Sequence, residues 1–291
     1  EFAGNRSTDV RAEGRIGNII GIPGKDLSSK SSITGKGDPG YAYAFIWSTP
    51  KLLELYEANN DIDRCNWNIA PFTYTQSAGE GTPVDGREFV KGKRDEVEQQ
   101  YWDKSFSYGK TNPGSTYGDR ESKNDANKNR NRAAAKYRRE YEADKKSKND
   151  TSINFPLLRY SDILLMIAEA ENEVNHGPND LAYECINAVR ERAGISKLQE
   201  NLDETNFREA IKDERAMELC FEYTRRFDLI RWGDYYKLMQ EQVSKAQTDE
   251  SWKFGINVYT YFNIPKSYNY FPIPANEIGS NGAIKTNNPG W

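Results

Sequence analysis

Apolar side chains recur with helical spacing in the second half of the chain. Between Leu157 and Asn175 they cover most of the circumference of a helix, and a polar face is left only at Asp162, Glu169 and Glu173. A helix with so wide an apolar surface is expected to pack on more than one side. The stretch His176-Gly177-Pro178 then predicts the end of the helix and a turn.

A second helix is predicted after the turn, because Asn179 or Asp180 can cap its free backbone amides and Gly194 suits its end. The apolar face of this helix is formed by Leu181, Cys185, Ile186 and Val189. The two helices and their turn span roughly 36 residues, which is close to one tetratricopeptide (TPR) unit. No second copy appears at that period, so the spacing alone does not establish a repeat array.

A third helix, with Thr205 as the predicted cap, carries two carboxylates within its apolar face. That face is formed by Phe207, Ala210, Ile211, Met217 and Phe221. At about 100° per residue, Glu214 and Glu218 fall inside it. One interpretation is an acid/base pair of the glycosidase kind. We favour a buried pair neutralised by arginines, because two carboxylates one turn apart point the same way and flank a sugar ring badly. The arginines considered as partners are Arg159, Arg190, Arg192, Arg215, Arg225, Arg226 and Arg231.

The first part of the chain has a weaker pattern. Pro50, preceded by Ser48 and Thr49, predicts a helix that runs to about Ala58. Residues 1–46 indicate irregular structure with loops or short strands.

Beyond the third helix, the pattern predicts a fourth helix from about Asp234 to Ala246. Residues 252–274 are rich in aromatic side chains and in proline, which excludes a long helix. We expect an extended segment that lays these rings over the helical core, with a ligand platform as the alternative.

Charge and composition narrow the possible functions. The chain has 40 Lys and Arg residues against 44 Asp and Glu residues, a net charge of −4 that argues against a strongly basic nucleic-acid-binding protein. Residues 119–150 are densely charged but mixed in sign, so a solvated loop or surface helix is predicted there. Apolar runs such as Ile163–Ala168 are too short to span a membrane.

Histidine and cysteine are scarce. One histidine, His176, and three cysteines argue against a zinc cluster or a Ser-His-Asp triad, and no metal or cofactor is predicted. Cys185 and Cys220 lie in helical patterns and are interpreted as small buried apolar residues.

Residues 66–118 are loop-like and carry many aromatic side chains without a helical or strand period. Aromatic rings outside a core stripe can stack on the weakly apolar faces of sugars, with nearby polar groups to bind the hydroxyls. The candidates for such a stacking platform are Trp67, Tyr74, Trp102, Tyr108 and Tyr117.

A series of motifs runs in order through residues 155–291. They are Phe155–Ala170, Ile186–Gly194, Glu214–Leu219, Arg226–Gly233, Phe271–Pro274, Glu277-Ile278 and Asn288–Gly290, with a weaker upstream match at Asp63-Arg64. Their order and spacing resemble the SusD/RagB family of outer-membrane nutrient-binding lipoproteins of Bacteroidetes. Ala275 stands where that family usually has Gln, and Trp291 where it usually has Tyr.

The patterns and this resemblance together predict a mainly α fold: a TPR-like helical hairpin core with long irregular, aromatic-rich loops and a few short strands. We expect one domain over residues 1–291. Its loop-rich, ligand-facing part is residues 1–150, and its helical core and tail are residues 151–291.

The resemblance also implies the function, that of a cell-surface protein which binds glycans, is not an enzyme, and delivers oligosaccharides to a SusC-like TonB-dependent transporter. Family members are typically longer, so the chain is expected to match their C-terminal portion. The lipid anchor that holds such proteins on the outer membrane is then expected on the missing N-terminal part. Peptide binding on the same scaffold is the alternative, and a glycosidase that uses Glu214 and Glu218 is a third hypothesis.

Overall fold

The computed structural model describes residues 14–21, 32–33, 42–43, 45–70, 133–137, 146–147, 151, 153–248 and 262–291. These residues are mainly helical, which confirms the predicted fold class. The chain divides into two compact units, Glu1–Glu222 and Tyr223–Trp291. The division of one domain at residue 150 stays a prediction.

The first unit contains short and long helices joined by small strand pairs. Its helices are α1 (Ile16–Ile19), α2 (Pro50–Ala58), α3 (Ile62–Asn68), α4 (Tyr160–Val174), α5 (Asp180–Arg192) and α6 (Glu204–Glu218). Its strands are β1 (Ser32–Ile33), β2 (Ile69–Ala70), β3 (Ala133–Ala134) and β4 (Lys146–Ser147). β1 pairs with β4 and β2 pairs with β3, both antiparallel.

The predicted hairpin is present as α4 and α5, and α4 packs against both α5 and α6. The apolar core between these helices consists of Leu165, Ala168, Ala182, Cys185, Ile186, Val189, Phe207 and Ile211. Leu181, expected on the buried face of α5, is instead 44% exposed. Asp162, expected on a polar face of α4, is buried because Arg215 Nη1 donates to its Oδ1 at 2.8 Å.

Helix caps explain where the hairpin helices begin. The Asn179 side chain accepts a hydrogen bond from the Ala182 amide at 2.9 Å, as predicted for the start of α5. The predicted cap Thr205 is wrong: Asp203 caps α6 by accepting from the Asn206 amide at 2.8 Å. A carboxylate at this position also interacts favourably with the positive end of the helix dipole.

The second helical layer of this unit joins α2 and α3 to α6. α2 begins at Pro50 as predicted, although the hydroxyl of its N-cap residue Thr49 makes no capping hydrogen bond. α3 was not predicted, and it places residues 66–68 in a helix rather than in the expected loop. The Tyr56 hydroxyl donates to the Met217 carbonyl at 2.7 Å and accepts from Asn68 Nδ2 at 2.9 Å.

Residues 133–137 are largely buried, contrary to the prediction of a solvated loop or surface helix for 119–150. Ala133, Ala134, Ala135 and Tyr137 are each at most 3% exposed. The β2–β3 pair holds this stretch against the segment after α3, and the Ala135 amide donates to the Asn68 carbonyl at 2.8 Å. Small alanine side chains permit this close backbone approach inside an otherwise charged sequence.

The second unit consists of α7 (Arg225–Arg231), α8 (Tyr235–Thr248), a 3-10 turn (Lys266–Asn269) and α9 (Ala275–Ser280). The predicted fourth helix is α8, whereas α7 and α9 were not predicted. Its small apolar core contains Leu229, Tyr235 and Ile264. Tyr268, Tyr270 and Phe271, which were expected to lie over the helical core, are exposed instead.

Candidate functional site

The structure describes one of the five predicted stacking residues, Trp67. Trp67 lies in the last turn of α3 and is half-buried. Tyr74, Trp102, Tyr108 and Tyr117 lie outside the described residues. The stacking platform therefore stays a prediction.

The two carboxylates of α6 lie in a network of buried ion pairs. Glu214 is fully buried, and its two carboxylate oxygens accept from Arg64 Nη1 at 2.6 Å and from Arg190 Nη1 at 3.0 Å. Arg64 Nε also donates to Asp61 Oδ2 at 2.6 Å. These contacts confirm the interpretation of the Glu214 side chain as a buried carboxylate neutralised by arginines.

Glu218, one turn further on, is surrounded by still more cations. Its Oε1 accepts from Arg159 Nη1 at 3.0 Å, and its Oε2 lies 3.0 Å from Arg64 Nη1 and 2.5 Å from Arg192 Nη2. Lys136 Nζ donates to the backbone carbonyl of Glu218 at 2.7 Å. Three arginines thus pair with the Glu218 carboxylate, and a lysine binds the backbone carbonyl of the same residue.

Glu222 extends the network past the end of α6. Arg159 holds it in a fork, with Nε donating to Oε2 at 2.9 Å and Nη2 donating to Oε1 at 2.8 Å. Lys136 forms a further ion pair with Glu222. Arg64 and Lys136 were not among the partners considered from the sequence. The Asp63-Arg64 motif was the one signal that pointed to this part of the chain.

The electrostatic surroundings of Glu218 do not suit a general acid. Burial raises the pKa of Glu218, but the charges of Arg192, Arg159, Arg64 and Lys136 outweigh that effect and lower the pKa below its ordinary value. A general acid of a glycosidase needs the opposite shift, a raised pKa that keeps it protonated near neutral pH. At Asp61, burial raises the pKa, and the nearby Arg64 only partly offsets this.

A polar cleft of about 740 Å³ lies along α5 and the segment that follows it. Its lining includes four acidic side chains: Asp180, Glu184, Glu191 and Glu200. Lys197 Nζ pairs with Glu191 Oε1 at 2.9 Å. The Tyr183 ring packs edge-on against the Phe207 ring with centroids 5.0 Å apart, and its hydroxyl accepts from the Leu202 amide at 2.9 Å.

The second unit displays a group of exposed aromatic rings, which we call the tail platform: Tyr268, Tyr270, Phe271 and Trp291. The Tyr268 and Trp291 rings stack with centroids 5.5 Å apart and planes within 5°. The Arg226 guanidinium lies 4.8 Å from the centroid of the Phe271 ring. Flat rings of this kind can stack on the C–H faces of sugars.

The part of the chain that the structure describes contains neither a metal-binding group nor a membrane-spanning helix. Within those ranges, no three His, Cys, Asp or Glu side chains form a group that could hold a metal ion. Among the described helices, none is both long and apolar enough to cross a membrane.

Comparisons with known proteins agree with the fold. A family model described as the SusD family matches residues 21–291. A SusD-like protein of Formosa agariphila is 38% identical over 136 residues, which are 46% of this chain and 23% of that protein. A second SusD-like protein of the same bacterium is 30% identical over 149 residues, which are 49% of this chain and 27% of that protein.

Among solved structures, a SusD homolog from Bacteroides thetaiotaomicron matches with a TM-score of 0.64 and 26% sequence identity. The match covers 99% of this chain and 50% of that structure. The chain thus spans half the length of this structural relative, and its matched segments span about a quarter of the two curated relatives. The family match also begins far upstream of residue 155, where the run of sequence motifs starts.

Proposed function

Because the chain belongs to the SusD family, we propose that it binds glycans at the cell surface and delivers oligosaccharides to a partner transporter. The observation that carries this proposal is the family match over residues 21–291, together with a fold similar to a SusD homolog over 99% of the chain. Proteins of this family are binding proteins rather than enzymes. The buried, paired state of Glu214 and Glu218 supports the same role here, because neither carboxylate is exposed to a substrate.

The proposed ligand contacts are the five aromatic residues of the first unit: Trp67, Tyr74, Trp102, Tyr108 and Tyr117. The half-buried state of Trp67 supports its inclusion, because part of the residue remains accessible. Stacking of a ring on a sugar needs an exposed aromatic plane, and polar groups beside it bind the hydroxyls.

The proposed partner is a SusC-like TonB-dependent transporter, and the proposed location is the outer surface of the outer membrane. In the full-length protein a lipidated cysteine would provide the attachment, since a lipid chain binds a protein to a bilayer without a membrane-spanning helix. Co-purification of the full-length protein with such a transporter from outer membranes tests this part. Recovery of the full-length protein free of any transporter would count against it.

Affinity electrophoresis in gels that contain soluble starch, laminarin, xylan or pectin tests glycan binding directly. We expect at least one polysaccharide to retard the chain, and Trp102→Ala to weaken that retardation. Trp102→Phe is the matched control, because it keeps an aromatic plane at the same position. Unchanged retardation of a normally folded Trp102→Ala variant would remove Trp102 from the site.

The same polysaccharides separate binding from catalysis. We expect no release of reducing ends when the chain is incubated with them. Steady release that disappears in Glu218→Gln would instead favour a glycosidase. Binding of peptides without binding of any polysaccharide would favour a peptide-binding member of the family.

A further inference from the structure

The four aromatic residues of the tail platform are all exposed. Tyr268 is 37% exposed, Tyr270 52%, Phe271 53% and Trp291 46%. Phe227, with its ring centroid 6.3 Å from that of Phe271, extends the surface and is also exposed. Single exposed apolar residues need no explanation. Here the exposed rings include two neighbouring pairs, Tyr268 with Trp291 and Phe227 with Phe271, and exposed rings grouped in this way are typical of an interaction site.

Hydrogen bonds from two asparagine side chains, Asn287 and Asn288, hold the tail platform in place. Asn288 Nδ2 donates to the Phe271 carbonyl at 2.7 Å. The Asn287 side chain accepts from the Ile273 amide at 2.7 Å and donates to the Ile273 carbonyl at 3.3 Å. These bonds hold the segment that carries Trp291 against the segment that carries the tyrosines.

Trp291 itself has a defined orientation. Its indole Nε1 donates to the Ser267 carbonyl at 3.1 Å, while its ring stacks in parallel on Tyr268. The indole edge is therefore bonded to the protein, and part of the ring surface faces solvent. Preorganised aromatic rings bind flat ligands with little loss of conformational entropy.

Gly290 makes this orientation possible. Its φ of +88° lies in the left-handed region that favours glycine, and a Cβ atom there would meet Ser267 Cβ at 2.5 Å. Any larger residue would push the chain away from Ser267 and move Trp291 off Tyr268. The placement of the indole thus depends on a residue that adds no surface of its own.

We propose that the tail platform of the second unit is a second carbohydrate-binding surface that stacks on the pyranose rings of a glycan, formed by residues other than the five aromatic residues proposed above. Among the described residues, the structure gives the Tyr268 and Tyr270 hydroxyls no hydrogen-bond partner, so both remain available for sugar hydroxyls. Flat rings with free hydroxyl groups at their edges match the alternation of C–H faces and hydroxyls on a pyranose. The inference rests on the proposed function for its ligand class but not for its location.

The test is affinity electrophoresis of the full chain in gels with soluble starch, laminarin, xylan or pectin. Trp291→Ala and Tyr268→Ala are expected to weaken the binding that the unaltered chain shows by about tenfold, since each removes one stacking plane. Trp291→Phe should retain most of the binding. Gly290→Ala should weaken binding although every aromatic side chain is still present.

Two variants guard against effects on folding. Tyr270→Ala removes an exposed ring that anchors nothing in the described structure, so it should fold normally and still weaken binding. Tyr160→Ala, an exposed tyrosine of the first unit, is the matched control and should bind as the unaltered chain does. Thermal melting of each variant confirms that the compared proteins are folded.

Two results would overturn the inference, and they can be told apart. If the tail variants bind like the unaltered chain while Trp102→Ala loses binding, the proposed function stands and the second surface does not exist. If the unaltered chain binds none of the four polysaccharides, both proposals fail. Loss of a co-purified transporter in the tail variants, with glycan affinity unchanged, would assign the platform to a protein partner and overturn the inference as well.

Discussion

The ion network of the first unit and the tail platform of the second unit differ in how deeply their side chains are buried. In the first unit, Arg64, Glu214 and Glu218 are buried and paired with one another. In the second unit, aromatic rings such as Tyr270 and Trp291 remain exposed, although their burial would be favourable. Burial of charged side chains indicates a structural role, since each buried ion depends on its partners. Exposure of apolar rings points instead to a ligand.

Removal of one ion from the buried network is expected to have the largest effect on stability. Arg64→Met keeps much of the side-chain volume but leaves Asp61, Glu214 and Glu218 without a shared cation. We expect a loss of about 3–5 kcal/mol in the free energy of unfolding. Urea denaturation followed by circular dichroism measures it.

Arg208→Met is the control for that experiment. Arg208 pairs with Glu173 and Glu204 at 2.6 Å and 2.5 Å, but these side chains are partly exposed. Such a pair contributes about 1 kcal/mol or less. Equal losses in the two variants would contradict the claim that burial distinguishes the network.

Removal of a buried hydroxyl is expected to lower the free energy of unfolding less than removal of a buried ion does. It should lower it more than removal of an exposed hydroxyl does. Tyr56→Phe removes the donor to the Met217 carbonyl and the acceptor for Asn68, at an expected cost of about 1–3 kcal/mol. Tyr270→Phe, in which the hydroxyl is exposed, should leave the free energy of unfolding unchanged. Equal costs in the same urea titration would refute the contrast between the units.

The network also predicts part of the response to acid. Because the pKa of Glu218 is lowered in the folded state, its stabilising effect is present above its unfolded pKa of about 4.3 and is lost as the pH falls below that value. Asp61, with a raised pKa, acts in the opposite direction, since the unfolded state binds its proton less tightly. The contribution of Glu218 is therefore measured by plotting the free energy of unfolding against pH for the unaltered chain and for Glu218→Gln. The difference between the two slopes gives that contribution.

That comparison uses the free energy of unfolding measured between about pH 6 and pH 3, a range that spans the unfolded pKa. Glu218→Gln should be less stable at pH 6 and should lose less additional stability at low pH. Parallel curves for the two proteins would show that the surrounding cations do not hold Glu218 ionised.

The smallest effect on stability is expected at the tail platform. Tyr270→Ala removes a large ring that is more than half exposed, so the free energy of unfolding should change by only about 0.5 kcal/mol. The same substitution is expected to weaken glycan binding. A large loss of stability would show that the ring belongs to the core of the second unit and not to a binding surface.

The sequence predicts those features that arise from local periodicity. Residues 160–174, 180–192 and 235–248 are helical because apolar side chains recur at helical spacing, and Glu214 and Glu218 are recognised as buried because they interrupt such a stripe. Arg64 is not found in this way, because it lies 150 residues before Glu214 and on a short helix without a strong period.

The exposure of the tail platform could not be predicted from sequence patterns. Aromatic residues without a helical or strand period can lie over a core or face solvent, and hydrophobicity alone favours the core. The hydrogen bonds of Asn287 and Asn288 and the close approach at Gly290 hold the tail so that its rings face outward. Such contacts between segments depend on the folded chain and leave no periodic signal.

Isothermal titration calorimetry of the unaltered chain measures whether this member of the SusD family binds glycans. Soluble starch, laminarin, xylan and pectin would be titrated in turn, with a tryptic digest of casein as the peptide ligand. A glycan-binding protein should give saturable heat with at least one polysaccharide and none with the peptides. Saturable heat with the peptides alone would contradict the proposed glycan binding.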